Sequence, residues 1–541
     1  MESFRPRILR PKEPYDERIA WADNRLSPTE ALVGREISLE REDGETVTFG
    51  FDSVSAKWHD PGEESTLVAR YDAVELREGV FSVDVLLPED PGHPLTRVAL
   101  SLALNLGSGG AVLVRNTITL GDAEDFHQEI RPCSIVGSGA PLPELSAELV
   151  GRRAYAEYTD GRAAEHVYLN SRRLCTQGLR RFESSGAKLD DSTVWKLGDE
   201  LYLLTWVQEW HPVGAALLMD FAGLRNAGVF MGRDDEGFFH FFCGARLGLL
   251  GRTTYPQGRA PAAPEGSSAS MTLQPKIYRP QPPYEHRFAW SRNRVPSTNA
   301  LAGRQIPLER DDGQTVTLAF DAKTVSWRDG EAGSVDVPYD AVELREGVFS
   351  VELVHPAVDG SPSRHVATSL ALNLRNGTGL LVRHTVTVGD ESDLRQDVYP
   401  CRITGSGASY PELSAELVGR RAYVEYADGD AVEHVYLNPR RIGWQSLGGN
   451  DVSSAGCEES TTWKLGEELF VLAWVKDWKP VAVMLLMDFE RHRNAGAILG
   501  QDDEGFFHFL CGARVSVLGQ TAYPPGYEPG GVRKNPVDMS G

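Results

Sequence analysis

The chain is poor in the features that usually assign a protein quickly. Its longest apolar runs, such as Val481–Met487, have the length of a strand and fall well short of a membrane span. Cysteine is scarce, with six in 541 residues. No two of Cys133, Cys175, Cys243, Cys401, Cys457 and Cys511 are spaced as CxxC, which argues against a disulfide framework or a structural zinc site and for buried free thiols. No GxSxG elbow, HExxH pair, phosphate-binding loop or dinucleotide fingerprint occurs. The glycine-rich stretches GSGGAV at Gly107 and GSGA at Gly137 read as a hairpin turn and an interdomain connection, and no helix follows either to cradle a phosphate. Positive charge is in deficit: 55 Lys and Arg against 77 Asp and Glu give a net charge of −22. A nucleic-acid backbone or an anionic membrane would be repelled by that charge. The N-terminal segment MESFRPRILRPKEPYDER lacks an apolar core for secretion, so a cytoplasmic location is expected.

What the chain does have is a copy of itself. YDAVELREGVFSV begins at Tyr71 and recurs at Tyr339, and PELSAELVGRRAY begins at Pro143 and recurs at Pro411. The offset is 269 early in the repeat and 268 later, so one residue separates the copies in length. Between them runs QGRAPAAPEGSSAS, residues 257–270, with the composition of a flexible linker. Met271 then opens a segment that reads as a second N-terminus. Each half also contains two related modules. GREISLEREDGETVTFGF from Gly34 and GRRAYAEYTDGRAAEHVYL from Gly151 are both a strand, an Asp-Gly turn and a strand, a strong hairpin signal. Period-two alternation continues through each module with turn residues between, and no convincing helical stripe interrupts it.

An all-β chain follows, with residues 1–135 as barrel one, 136–256 as barrel two, 257–270 as the linker, 271–403 as barrel three, 404–527 as barrel four and 528–541 as a tail. Closing a meander into an antiparallel barrel hides its edges; a sandwich is the alternative. Each half contains complete cores on this reading, so the two halves are expected to be self-sufficient once the linker is cut.

Taken as two copies, the chain resembles the molybdenum cofactor biosynthesis F family (MoaF). The resemblance is carried by the hairpin openings Gly34 to Gly44 and Gly151 to Gly161, by YDAVELREGVFSVDV at Tyr71, and by LTWVQEW…LLMDF between Leu204 and Phe221. It implies lipocalin-like (calycin) barrels, one N-terminal and one C-terminal in type per half, related to phenolic acid decarboxylases. Four such barrels in two tandem two-barrel halves are therefore expected.

Histidine points to barrels two and four. Of thirteen histidines, only His166 with His434 and His240 with His508 occupy matched positions in both halves. Strand parity places Tyr168 on the face of His166 and sets Tyr158 across the hairpin. Phe238 and Phe242 share the face of His240, and Asp220 shares that of Leu218. The expected catalytic groups are His166, Tyr168, Asp220 and His240, with His434, Tyr436, Asp488 and His508 in the second copy, all lining barrel interiors. Tyr158, Trp206, Phe238 and Phe242, with Tyr426, Trp474 and Phe506, are expected to form aromatic walls, to which Trp210 and Trp478 would add. The bland alternative is that these are hydrogen-bonded core residues, with Asp220 satisfied by the following turn. Neutral imidazole, phenol and carboxyl groups with no cofactor or metal motif suit proton transfer on a small hydrophobic or aromatic molecule, of lyase, isomerase or cyclase type. A divalent metal on His166, Asp220 and His240 is the less favoured use of the same residues. A non-catalytic carrier or molybdenum-cofactor accessory protein, or a docking scaffold, would use the same barrels. Barrels one and three, whose strands offer mainly Val, Leu, Ala and Ser, are expected to be structural.

Overall fold

The computed structural model describes residues 2–4, 23–273 and 291–529, apart from the connections 62–65, 90–91, 120–124, 160–161, 181–186, 209–211, 235–236, 258–259, 262–268, 330–333, 357–362, 390–393, 448–453, 477–479 and 503–504. Among these residues there are thirty-six strands and no helix. The first Asp-Gly signal forms a turn as expected, and so does its repeat: Gly44 and Gly313 take φ of 81° and 82°, the left-handed region that a side chain disfavours. The second signal, Asp160–Gly161, lies outside the described residues.

β1 (Glu2–Phe4) precedes barrel one and does not join it. Barrel one consists of β2 (Glu36–Arg41), β3 (Thr46–Phe51), β4 (Ser55–His59), β5 (Leu67–Arg77), β6 (Val80–Leu86), β7 (Thr96–Asn105), β8 (Gly110–Thr119) and β9 (Asp125–Ile135). Each strand pairs antiparallel with the next, and β9 returns to pair with β2, closing eight strands into a barrel. In barrel two, β10 (Glu144–Leu145) is a short addition to the wall. The barrel itself is β11 (Arg152–Thr159), β12 (Arg162–Asn170), β13 (Arg173–Arg180), β14 (Lys188–Gly198), β15 (Leu201–Gln208), β16 (Val213–Asp220), β17 (Arg225–Asp234) and β18 (Gly237–Arg252). It closes through β11 and β18.

The second half repeats this. β19 (Met271–Leu273) precedes barrel three, which is β20 (Gln305–Arg310), β21 (Thr315–Phe320), β22 (Thr324–Asp329), β23 (Val335–Arg345), β24 (Val348–Val354), β25 (Arg364–Asn373), β26 (Thr378–Thr387) and β27 (Leu394–Ile403). Barrel four carries the short β28 (Glu412–Leu413) and comprises β29 (Arg420–Ala427), β30 (Asp430–Asn438), β31 (Arg441–Ser446), β32 (Ala455–Gly466), β33 (Leu469–Val475), β34 (Val481–Asp488), β35 (Arg493–Asp502) and β36 (Gly505–Gln520).

The strands nearest the contacts are apolar on both faces, and both faces are covered. All eight residues of β15 and all eight of β16 are buried. Leu204, Trp206, Leu217 and Met219 fill barrel two, while Trp195, Leu203 and Leu218 leave its outer wall to pack on Val112, Val114 and Ile130 of barrel one. Barrels three and four join in the same way through Val382, Val398, Val471 and Leu486. The six cysteines are buried free thiols, as their spacing implied.

The two halves exchange parts. β1 pairs with β27 of barrel three, Glu2 opposite Val398 and Phe4 opposite Gln396. β19 pairs with β9 of barrel one, Met271 opposite Ile130 and Leu273 opposite Gln128. Barrels two and four meet through Val167, Leu169, Cys175 and Leu189 against Val435, Leu437 and Cys457. Beside this apolar seam lies a buried polar network. Arg153 Nε lies 2.6 Å from Glu165 Oε1, and both side chains are essentially inaccessible. Arg153 also donates to Gly419 O at 3.1 Å and to the Tyr523 hydroxyl at 2.6 Å, both from the other half. Arg421 repeats the pattern with Glu433, Gly151 O and Tyr255 Oη. The expectation of two self-sufficient halves is therefore corrected: each core is complete, but each half contributes a strand and a hydrogen-bonding tyrosine to the other.

Two outcomes follow. Cleavage at a protease site inserted within 262–268 should leave one particle of the full mass in size-exclusion chromatography with light scattering, and residues 271–541 expressed alone should pair with themselves. Arg153→Leu should destabilise the assembly by about 3–5 kcal/mol in urea titration, because it strands Glu165 in a dry interface.

Candidate functional site

β12 crosses the wall of barrel two with Ala164, His166 and Tyr168 directed inward, since their strand neighbours Val167 and Leu169 serve the interface with barrel four. Opposite them, β11 supplies Tyr158, β15 supplies Trp206, β17 supplies Phe230, and β18 supplies Phe239 and Phe241. The His166 ring stands edge-on to Trp206 at 5.7 Å and to Tyr168 at 6.2 Å between centroids. Trp206 contacts Phe230 at 5.5 Å, and Phe230 stacks on Phe241 at 5.5 Å. Barrel four reproduces the chamber: His434 lies 5.9 Å from Trp474 and 6.3 Å from Tyr436, with Tyr426, Phe507 and Phe509 around them. Ile498 takes the place of Phe230.

This chamber is buried, and several of its polar atoms are unmet. His166 and Tyr168 are each 2% exposed. Among the described residues His166 Nδ1 and the Tyr168 hydroxyl have no hydrogen-bond partner, and the same holds for His434 Nδ1 and the Tyr436 hydroxyl. Burial lowers the pKa of His166 and of His434 to about 4, so both imidazoles are neutral near pH 7. Burial raises Tyr168 and Tyr436, which stay protonated.

The other expected catalytic groups lie on the opposite face of the wall. Asp220 and His240 do not enter barrel two; they point outward to barrel one, and Asp488 and His508 point outward to barrel three. Asp220 Oδ1 is 3.4 Å from Arg77 Nη1 and accepts the Gly223 N–H at 3.0 Å, so the turn does satisfy it in part. Asp488 is 3.4 Å from Arg345 and accepts the Arg491 N–H, and burial raises its pKa. His240 Nε2 lies 3.0 Å from Asp84 Oδ2 of barrel one. His508 Nε2 lies 3.8 Å from Glu352, whose carboxyl also accepts from Ser369 and is raised by burial.

Phe238, Phe242 and Phe506 are outward too. Phe242 packs on Val74 under Arg25, whose guanidinium is 4.6 Å from the ring. Phe506 stacks on His365 at 4.4 Å. The reason is that GFFHFFC is apolar on both faces, and the inward set is Phe239, Phe241 and Cys243. Because His166 faces in while Asp220 and His240 face out, the three do not converge as metal ligands, and no group of three ligating side chains forms among the described residues. Trp210 and Trp478 lie outside the described residues.

A cavity of about 360 Å³ opens in barrel one, lined by Arg41, Trp58, Asp60, Leu100, Arg115 and Arg131 among others. Sequence reasoning missed these residues. A signal was present: Arg41 shares a strand face with Ile37 and Leu39, and an arginine recurs at the matching position, Arg310.

Comparison with known proteins bears on the whole chain. The MoaF N-terminal domain matches residues 19–119 and 288–387, and the MoaF C-terminal domain matches 143–253 and 411–521. Protein MoaF of Klebsiella aerogenes is 24% identical over 218 residues, which is 38% of this chain and 80% of that protein. A crystal structure of a protein from Burkholderia vietnamiensis aligns at 14% identity over 19% of this chain and 95% of its own, with a TM-score of 0.17. Among the described residues no helix is long and apolar enough to cross a membrane. With both domains present twice in order, and each forming a closed barrel, the chain belongs to the MoaF family as a tandem duplication.

Proposed function

We propose that each C-terminal-type barrel encloses one small, largely apolar or aromatic molecule, and that the chain is a two-site small-molecule-binding protein. The observation that carries this reading is the pair of unmet polar atoms, His166 Nδ1 and Tyr168 Oη, repeated as His434 Nδ1 and Tyr436 Oη. Leaving such groups unbonded costs about 1–3 kcal/mol each, and a ligand with one donor and one acceptor would recover that. Rings on several sides of the imidazole favour a flat, uncharged body. Binding is favoured over catalysis because an imidazole with a pKa of about 4 is a weak base near neutrality. The carboxylate that would strengthen it, Asp220, is on the other side of the wall. A cofactor-free lyase, isomerase or cyclase reaction is the second reading, supported by the retention of the same imidazole and phenol in both copies; it would rest on those two groups alone.

Titration with 1-naphthol, a neutral aromatic probe, should give two sites per chain by calorimetry. His166→Phe with His434→Phe should weaken both by about tenfold, the worth of one buried hydrogen bond. His240→Ala should leave that binding unchanged while costing about 1–3 kcal/mol of stability, because Asp84 loses its partner. Absence of saturable naphthol binding, or equal binding in the double variant, would overturn the reading.

Acid should expose the same histidines. Their folded-state pKa is depressed from 6.5 to about 4, so the unfolded chain takes up protons first. The stability they confer is complete above about pH 6.5 and drains away as pH falls toward 4. The ceiling is roughly 3 kcal/mol per histidine. Urea midpoints at pH 7 and 4.5 should therefore differ less in the His166→Phe, His434→Phe double variant than in the parent.

A further inference from the structure

We propose that the cavity of barrel one is a separate binding site, present once per chain, for a small planar molecule bearing a carboxylate. Its volume of about 360 Å³ suits such a ligand. Leu100, Leu113 and the indole of Trp58 form an apolar floor. Trp58 is 2% exposed, and among the described residues its Nε1–H meets no acceptor. An indole N–H can only donate, so the floor asks for an acceptor atom on the ligand.

The charges above the floor divide into framework and recognition. Arg41 is enclosed by carboxylates: Nη1 is 3.1 Å from Asp60, Nε is 3.4 Å from Asp43, and Glu45 takes the remaining edge. Its edges are all taken by carboxylates, and it ties the β2–β3 hairpin to the end of β4. Arg115 holds its guanidinium 5.9 Å from the Trp58 ring. Arg131 pairs with Glu129 at 3.1 Å, but Glu129 is 41% exposed, so water screens that pair and weakens its hold. A carboxylate placed between Arg115 and Arg131 is taken up by forked N–H donors, with its ring on the indole and leucines below.

Barrel three shows why the site occurs once. Arg310, Trp327 and Arg383 stand where barrel one has Arg41, Trp58 and Arg115, but Tyr399 replaces Arg131, Thr368 replaces Leu100 and His355 replaces Leu87. There the Arg310 guanidinium lies 3.7 Å from the Tyr399 ring centroid. His355 stands edge-on to Trp327 at 5.4 Å and lies 2.8 Å from Thr368 Oγ1. The arginine and tryptophan of barrel three thus find ring partners within their own barrel.

The test is a ¹⁹F NMR titration of the full chain with 4-fluorobenzoate, alongside 4-fluorobenzamide and inorganic phosphate. One 4-fluorobenzoate should bind per chain. The neutral amide, which keeps the ring, and phosphate, which keeps only the charge, should each bind at least about tenfold more weakly. Arg131→Tyr, which installs the residue of barrel three, should reduce 4-fluorobenzoate binding by at least about tenfold with the thermal midpoint retained; Arg115→Gln should do the same if Arg131→Tyr fails to fold. The His166→Phe, His434→Phe variant should bind it normally, which separates this site from the barrel-two and barrel-four chambers. No saturable binding, equal binding of the amide, or full binding in a folded Arg131 or Arg115 variant would overturn the proposal.

Discussion

Everything in this molecule depends on barrels whose walls are apolar on both sides. A small barrel normally needs only its inner face dry, because its outer face meets water. Here β15 and β16 are buried throughout, so a lone C-terminal-type barrel would expose Leu203, Leu218 and Trp195 to solvent. Covering them contributes about 25 cal/mol per Å² of apolar surface removed from water. The N-terminal-type barrel is that cover. Polar groups on the same outer faces then become welds: Asp220 meets Arg77, and His240 meets Asp84. These contacts orient the barrels, since an unpaired charge in such a seam would be costly.

The contact between halves adds a second material to its apolar seam. Arg153, Glu165, Gln177 and Tyr523, with their counterparts Arg421, Glu433, Gln445 and Tyr255, form a buried polar network that an apolar seam of equal area would match for stability. What the network adds is register. Gln177 donates to Leu437 O while Gln445 donates to Leu169 O, and sliding one barrel past the other breaks both sets at once. Reciprocity of this kind is the signature of two copies related by a two-fold axis. The exchanged strands β1 and β19 obey it as well, so the tandem chain has the contact pattern of a dimer joined by a linker.

Much of this was readable beforehand, and the unread part has a common cause. The duplication, the Asp-Gly hairpins and the strands follow from local pattern, and so does the shared face of His166 and Tyr168. Alternation decides which residues share a face but says which face is inward only when one face is polar. EHVYLN, with Glu165 and Val167 opposite His166, and GFFHFFC, with phenylalanine on both sides of His240, leave that open. A charged or polar group in an apolar strand suggests a site, which is what points Asp220 and His240 inward on sequence alone. Their partners lie 143 and 156 residues away in another barrel, beyond the reach of strand parity. The exchanged segments ESF and MTL are three residues long, too short for any periodicity.

The unequal drift of the two barrel types gives the last step. In the C-terminal type, His166, Tyr168, Trp206, Phe239 and Phe241 recur unchanged as His434, Tyr436, Trp474, Phe507 and Phe509. In the N-terminal type, the scaffold residues Phe81 and Val83 recur as Phe349 and Val351. The cavity positions Arg131 and Leu100 have nonetheless become Tyr399 and Thr368. Packing alone does not account for that contrast. Leucine to threonine is a substitution that a close-packed interior resists, so the drift has gone where there was room. Fused halves need not remain identical, because a linker holds unlike copies together as firmly as like ones. Two matched C-terminal-type barrels and two N-terminal-type barrels that have diverged can therefore coexist in one chain, whereas two separate copies of a single half would remain alike.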